Sequence, residues 1–173
     1  MSFSIKTTIR GLLAPKHRIS CPQHLWVSLL QELDRRGERS HEAGAFLLGT
    51  ITNGRAQVRE VVFYDDLDSA AYDTGVCVLD GEVFGSLWAL CRERALSVVA
   101  DVHTHPGRAG QSPTDRTNPM IARSGHIAII IPYYAVPARQ TEPIGVYLYE
   151  GSHEWTEYQG KRAHHILYVG LWS

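Results

Sequence analysis

The sequence predicts an α+β protein in which helices pack on one mixed β-sheet. Apolar residues recur at helical spacing in some segments, while other segments are short, β-branched runs typical of buried strands. The 44% hydrophobic and 20% charged fractions are those of an ordinary globular protein, and 173 residues are enough to bury a hydrophobic core. Neither repeats nor a linker divide the chain. We therefore predict a single domain over residues 1–173, of the α/β or α+β class.

The first half of the chain predicts strands around a helix, followed by a hairpin. We expect strands at residues 5–13, 18–20, 42–50 and 57–64, and a helix from about Pro22 to Gly37. Between Leu25 and Leu33, leucines recur at the spacing that lines one helix face, and Pro22 suits a first helical turn. Asn53-Gly54 is a strong turn signal between the last two of these strands.

The second half predicts a further alternation of helices and strands. We expect an acidic irregular segment at 65–78, helices at 81–94 and 113–123, strands at 96–105, 126–132 and 144–149, and an apolar tail at 164–173. The isoleucine-rich run at 126–132 is continuously apolar, so we expect it to be buried on both faces. The tail is interpreted as a final strand or as a segment that contacts a partner.

Charge and cysteine content narrow the function classes. The net charge of -1 argues against a protein that binds nucleic acid through bulk positive charge, although it permits a local basic patch. The chain has an odd number of cysteines, and the three are widely spaced: Cys21, Cys77 and Cys91. We therefore expect neither a disulfide framework nor a cysteine zinc site. The sequence shows no signal-peptide segment and no apolar run of membrane-spanning length. We expect a cytoplasmic protein.

A cluster of potential metal ligands lies at the end of a buried strand. His103 and His105 are two residues apart, so in an extended strand their side chains lie on the same face. Pro106-Gly107 ends the strand, and a glycine-containing loop can return Asp115 to the same point. Imidazole and carboxylate are ligands of catalytic zinc, which keeps a fourth position for water. Asp101, on the same strand face, is an alternative ligand or a residue that orients a histidine.

Glu42 is the candidate general base. Hydrolysis at such a metal needs a group that takes a proton from water and passes it to the leaving group. Glu42 begins an otherwise apolar strand, where a carboxylate is out of place without a partner or a task. The small residues Ala43-Gly44-Ala45 would let another backbone or a substrate approach closely. From composition alone, Glu42 can also be interpreted as an ordinary solvated glutamate on the surface.

Together these segments resemble the JAMM motif of the MPN-domain metalloproteases. The matching residues, in chain order, are Glu42, His103, His105, Ser112 and Asp115. The resemblance covers residues 19–150 and implies an MPN-like (cytidine-deaminase-like) fold, with a curved, mostly antiparallel sheet flanked by helices. It also implies that His103, His105 and Asp115 bind one Zn²⁺ per chain, that Glu42 transfers protons, and that Ser112 stabilises an oxyanion. Ser112 equally suits a helix N-cap, and the two roles are compatible.

The resemblance also implies a substrate class. Relatives with the full motif often hydrolyse peptide or isopeptide bonds at the C-terminus of ubiquitin or ubiquitin-like proteins. Compact prokaryotic relatives occur beside ubiquitin-like conjugation enzymes, some of them in anti-phage operons. We therefore expect a zinc isopeptidase or peptidase acting on a ubiquitin-like protein or its conjugates, with neither a membrane nor a nucleic acid as partner. Homo-oligomers and hetero-oligomers are both compatible with this expectation.

Two alternatives come from other functional classes. RadC-like proteins have a similar arrangement of His-x-His and Ser-x-x-Asp and are linked to DNA, but the helix–hairpin–helix segment that often precedes it is not visible in this sequence. A non-catalytic MPN scaffold or binding module would keep the fold, and the apolar tail favours such a role. The acidic residues 65–73 are interpreted either as a partner-contacting loop or as an ordinary solvated loop.

Overall fold

The computed structural model describes residues 17–170, and eight strands in this range form one continuous sheet. The strands are β1 (Ile19–Pro22), β2 (Gly44–Thr52), β3 (Arg55–Phe63), β4 (Ser97–Thr104), β5 (Ile127–Ile131), β6 (Gly145–Gly151), β7 (Glu154–Tyr158) and β8 (Leu167–Gly170). Their order across the sheet is β7-β6-β5-β4-β2-β3-β1-β8. Four neighbouring pairs are antiparallel, whereas β1–β3, β1–β8 and β4–β5 are parallel. The curved, mostly antiparallel sheet flanked by helices confirms the predicted fold class.

Helices cover both faces of this sheet. They are α1 (Gln23–Gly37), α2 (Tyr64–Leu67), α3 (Val83–Glu93) and α4 (Pro113–Thr117), with short 3₁₀ helices at Tyr133–Ala135, Pro137–Arg139 and Gly160–His165. Successive β2 side chains point to opposite faces, so Leu47 joins one core and Phe46 the other. Leu33 of α1 packs in the first core, and Leu87 of α3 packs in the second. The central strands are therefore covered on both sides.

Two helix boundaries differ from the predictions. Pro22 is the N-cap of α1 rather than part of its first turn, because the preceding residues pair with β3 and β8 as strand β1. The helix predicted at 113–123 ends at Thr117. Asn118 follows it and precedes Pro119, and a residue before proline is disfavoured in the helical conformation.

The C-terminal hairpin was not predicted. β6 and β7 are joined through Ser152 and His153, whose φ angles are 51° and 62°. Such turns usually contain asparagine or glycine, and the Ser-His pair gave no such signal. The tail forms β8 up to Gly170, as one of its two interpretations predicted. The predicted strand at 5–13 and the last three residues lie outside the described range.

The three cysteines form no disulfide bonds with one another in the described structure. Cys21, Cys77 and Cys91 are all free thiols. Burial raises the pKa of Cys21 to about 12, so this thiol stays protonated at neutral pH. Within residues 17–170, no helix is long and apolar enough to cross a membrane.

The acidic segment after β3 begins with carboxylates that pair with an arginine of this same chain. Arg36, in the last turn of α1, donates from Nη1 to Asp65 at 2.6 Å and to Asp66 at 2.8 Å. Its guanidinium lies 4.1 Å from the centre of the Phe63 ring, and its side chain is 13% exposed. These contacts join the end of α1 to α2, so the first acids of the segment have a structural role.

Arg36→Ala should lower the free energy of unfolding by about 1–3 kcal/mol, because it leaves Asp65 and Asp66 without their cationic partner. Arg35→Ala is the matched control: its side chain is 64% exposed and pairs with Glu32 at the surface, so we expect no measurable loss of stability. Urea unfolding followed by circular dichroism measures both values. Equal losses in the two variants would contradict the structural role of Arg36.

Candidate metal centre

Two buried histidines lie at the C-terminal end of β4, in the middle of the sheet. β4 runs antiparallel to β2 on one side and parallel to β5 on the other. His103 belongs to the strand, and His105 follows it with its backbone N–H donating to Ile131 O at 2.9 Å. The two residues are 8% and 7% exposed, and their Nε2 atoms are 3.0 Å apart. The side chains therefore converge, as their i, i+2 spacing predicts.

Helix α4 brings Asp115 to the two histidines. Ser112 is the N-cap of this helix: its Oγ accepts from the Asp115 N–H at 3.1 Å, and its own N–H donates to Asp115 Oδ2 at 2.6 Å. This capping box fixes the Asp115 carboxylate, whose oxygens lie 3.2 Å from His105 Nε2 and 3.5 Å from His103 Nε2. The predicted N-cap role of Ser112 is confirmed, and its hydroxyl hydrogen can still donate elsewhere.

These three side chains form a group that could bind a metal ion, with ligand atoms all within 4.8 Å of one another. In a tetrahedral zinc site with bonds of about 2.0–2.1 Å, neighbouring ligand atoms lie about 3.3 Å apart. The Nε2–Nε2 distance of 3.0 Å and the nitrogen–oxygen distances of 3.2 and 3.5 Å bracket that value. Two imidazoles and one carboxylate also leave a fourth position open, so the group fits a catalytic zinc ion.

Glu42 lies near this group, just before β2, the strand that pairs with β4. It lies two residues before β2, rather than at the start of the strand as predicted. The Ala43 N–H donates to Thr104 Oγ1 and the Thr104 N–H donates to Ala43 O, both at 2.9 Å. These reciprocal bonds fix the backbone beside Glu42 against the end of β4. Glu42 Oε1 then lies 3.9 Å from His105 Nε2.

The loop before α3 contacts Glu42 from the other side. The Glu42 backbone N–H donates to Gly75 O at 3.1 Å, and its carboxylate accepts from the backbone N–H of Cys77. Burial raises the pKa of Glu42, and the nearby His103 and His105 partly offset this effect. A carboxylate with a raised pKa is suited to accepting and returning a proton near neutral pH.

Strand β6 holds the loop between His105 and Asp115, a contact that the sequence did not reveal. Tyr147 Oη donates to Ala109 O at 2.7 Å. A Cβ atom at Gly145 would lie 2.2 Å from the same oxygen, so the loop can pack this closely only against glycine. Tyr147 is buried in the sheet, and its hydroxyl also positions the loop between His105 and Asp115.

A left-handed turn fixes the backbone around Pro106. Tyr133, Tyr134 and Ala135 have φ angles of 52°, 54° and 60°. The Tyr133 N–H donates to Gly107 O and the Tyr134 N–H donates to His105 O, both at 2.9 Å. Each such residue costs about 1–2 kcal/mol relative to a right-handed conformation, so the hydrogen bonds offset a strained backbone. No glycine marks this turn in the sequence, so it was not predicted.

Asp101 lies behind His103 and is not part of the ligand group. Its Oδ2 is 3.8 Å from His103 Nδ1, the ring nitrogen that points away from the group, and its Oδ1 accepts from His126 Nε2 at 2.6 Å. Of the two roles that the sequence left open, this placement favours orientation of a histidine over coordination. The pairing of His126 with Asp101 was not predicted from the sequence.

Negative charge surrounds the two histidines. Burial alone would lower the pKa of His103, but Asp101 and Asp115 outweigh burial and raise it to about 10. Burial likewise opposes ionisation of Asp115, yet hydrogen bonds from His103 and His105 hold its pKa well below the usual range. Glu42 adds a third carboxylate. The charge distribution therefore favours a cation at this point of the structure.

Fold and site together define an α+β protein with a candidate metal centre at the end of a central strand. No model of a known protein family matches the chain. The sequence is 24% identical over 140 residues to the "probable metalloprotease y4jG" of Sinorhizobium fredii, covering 80% of this chain and 86% of that protein. The chain is thus similar to a protein named as a metalloprotease.

The chain also matches two solved structures. The solution structure of protein DSY2949 from Desulfitobacterium hafniense has a TM-score of 0.60 and 16% identity, covering 87% of this chain and 92% of that one. A solution structure from Salinibacter ruber has a TM-score of 0.49 and 20% identity, covering 82% of this chain and 97% of that one. The first of these likenesses supports the fold alone.

The purified protein should bind one zinc ion per chain, measured by elemental analysis after equilibration with zinc and removal of the excess. Replacing His103, His105 or Asp115 by Ala should weaken zinc binding at least about 100-fold, because each removes a ligand. The exposed His153 offers a matched control, and His153→Ala should leave the zinc content unchanged. Full zinc content in the His103→Ala variant would contradict this ligand group.

Proposed function

We propose that this chain is a zinc-dependent peptidase of the JAMM type, which hydrolyses a peptide or isopeptide bond. The observation that carries the proposal is the convergence of a partly buried carboxylate, Glu42, on the group of His103, His105 and Asp115. The similarity to a probable metalloprotease supports it independently. The order of these residues along the chain also agrees with the motif described above.

The chemistry follows from the position of each side chain. His103, His105 and Asp115 would bind one Zn²⁺, which when bound polarises the scissile carbonyl and makes a water molecule acidic near neutral pH. The Glu42 carboxylate takes a proton from the attacking water and delivers it to the leaving nitrogen. The free hydroxyl hydrogen of Ser112 donates to the oxyanion that develops on the carbonyl oxygen. The capping box and the Ala43–Thr104 bonds keep these groups in place.

For the substrate, we infer the C-terminal tail of a ubiquitin-like protein, joined to another protein or peptide. The loop that contacts Glu42 exposes two apolar side chains, Val76 and Val78, which are 47% and 52% exposed. They flank Cys77, whose backbone N–H reaches the Glu42 carboxylate, so an extended apolar tail entering the site would contact them. The proposal includes action in the cytoplasm, within a bacterial ubiquitin-like conjugation or anti-phage system.

Glu42→Gln should lower kcat at least about 100-fold and leave zinc content unchanged, because the amide keeps the shape of the side chain but cannot accept the proton. The assay uses zinc-loaded protein and a ubiquitin-like protein with a fluorogenic amide at its C-terminus. Glu93→Gln, at an exposed position on α3, is the matched control and should keep the wild-type rate. An unchanged kcat in Glu42→Gln would contradict the assigned base.

The substrate inference has a separate outcome. If zinc-loaded protein cleaves a simple peptide amide but none of the ubiquitin-like fusions, the peptidase activity stands and the substrate class is wrong. If zinc-loaded protein cleaves neither kind of substrate, the proposed function is overturned.

A further inference from the structure

Asp101 is a buried carboxylate that the proposed reaction does not use. It lies in the middle of the sheet on β4 and is 2% exposed. A buried carboxylate is costly unless charged or hydrogen-bonding groups pair with it, so its partners indicate its role. Those partners are His126 on one side and the metal-site residue His103 on the other.

His126 gives Asp101 its shortest contact. Its Nε2 donates to Asp101 Oδ1 at 2.6 Å, and the residue is 3% exposed. Its backbone is fixed on both sides, since its N–H donates to Arg123 O at 3.0 Å and its carbonyl accepts from the Tyr149 N–H at 2.9 Å. The Tyr64 hydroxyl is also buried beside the Asp101 carboxylate. Because its contact is the shortest and its backbone is fixed, His126 is the group best placed to hold the Asp101 carboxylate.

The second Asp101 oxygen faces the back of His103. His103 presents Nε2 to His105 and Asp115, and Nδ1 to Asp101 Oδ2 at 3.8 Å, an ion-pair distance rather than a hydrogen bond. An imidazole that coordinates a metal through Nε2 carries its hydrogen on Nδ1. A carboxylate facing Nδ1 favours that tautomer and limits rotation of the ring.

We propose that Asp101 and His126 form a positioning pair, which raises metal affinity by fixing the tautomer and orientation of His103. The inference rests on the metal centre of the proposed function and extends it to two residues outside the ligand group. His126 fixes the carboxylate, and the carboxylate fixes the imidazole. Both residues act through His103, and the effect appears in metal binding itself, before any substrate is present.

The test measures affinity for zinc alone, by competition with a chromophoric chelator. Asp101→Asn and His126→Leu should each weaken zinc binding about 10–100-fold, the usual effect of losing a partner behind a metal ligand. His126→Gln keeps an N–H donor of similar reach and should recover most of the affinity. The visible absorption spectrum of the Co²⁺-loaded protein should change in Asp101→Asn, because the geometry of His103 changes.

Asp65→Asn is the matched control, since it removes a carboxylate from a different partly buried cluster, where Asp65 pairs with Arg36 and Tyr72. It should lower stability without changing zinc affinity. Urea unfolding of each variant in the presence of a chelator separates stability from metal binding. If Asp101→Asn does not fold, the zinc affinities of His126→Gln and His126→Leu test the positioning pair instead.

Three outcomes are distinguishable. Weaker zinc binding in the Asp101 and His126→Leu variants, with recovery in His126→Gln, supports the pair. Wild-type zinc affinity in all of these variants, even with lower stability, overturns the inference and leaves the metal centre intact. If the wild-type protein itself does not bind zinc, both the metal centre and the positioning pair are wrong.

Discussion

The pairing of β2 with β4 is the constraint on which the rest of the site depends. Its register places Gly44 opposite His103, and the Ala43–Thr104 bonds extend it past the end of both strands. Gly44 is needed at this point because a Cβ there would lie 2.3 Å from the Tyr64 ring. A slip of one residue would turn every side chain of β2 to the opposite face, which would separate Glu42 from the histidines.

The site concentrates charge at the centre of a sheet that apolar cores cover on both faces. Such a placement is costly unless each charged group has a partner, so the surrounding structure supplies partners. The Asp115 carboxylate accepts a hydrogen bond from the backbone N–H of its helix N-cap, and the Asp101 carboxylate accepts one from His126. The Glu42 carboxylate accepts one from a backbone N–H in the loop before α3. The two imidazoles of His103 and His105 and the Asp115 carboxylate face one another, and a metal cation is the partner that all three could bind.

The parts of the site that depend on local spacing could be predicted from the sequence. The convergence of His103 and His105 follows from strand periodicity, and the capping role of Ser112 follows from its position before Pro113. The alternation of helices and strands likewise predicted the fold class.

The contacts that were missed join distant segments or use uncommon turns. His126 reaches Asp101 across 25 residues, and Tyr147 reaches Ala109 across 38. Neither pair has a periodicity that would reveal it. The left-handed turn at Tyr133–Ala135 contains no glycine, so turn propensities could not indicate it.

The central claim is that one metal ion is bound by two imidazoles and a carboxylate at the end of β4. An X-ray absorption spectrum at the zinc edge of the zinc-loaded protein tests it most directly. We predict nitrogen and oxygen neighbours at about 2.0–2.1 Å, with the outer-shell scattering of two imidazole rings. Sulfur neighbours at about 2.3 Å, or a spectrum without imidazole scattering, would contradict the account.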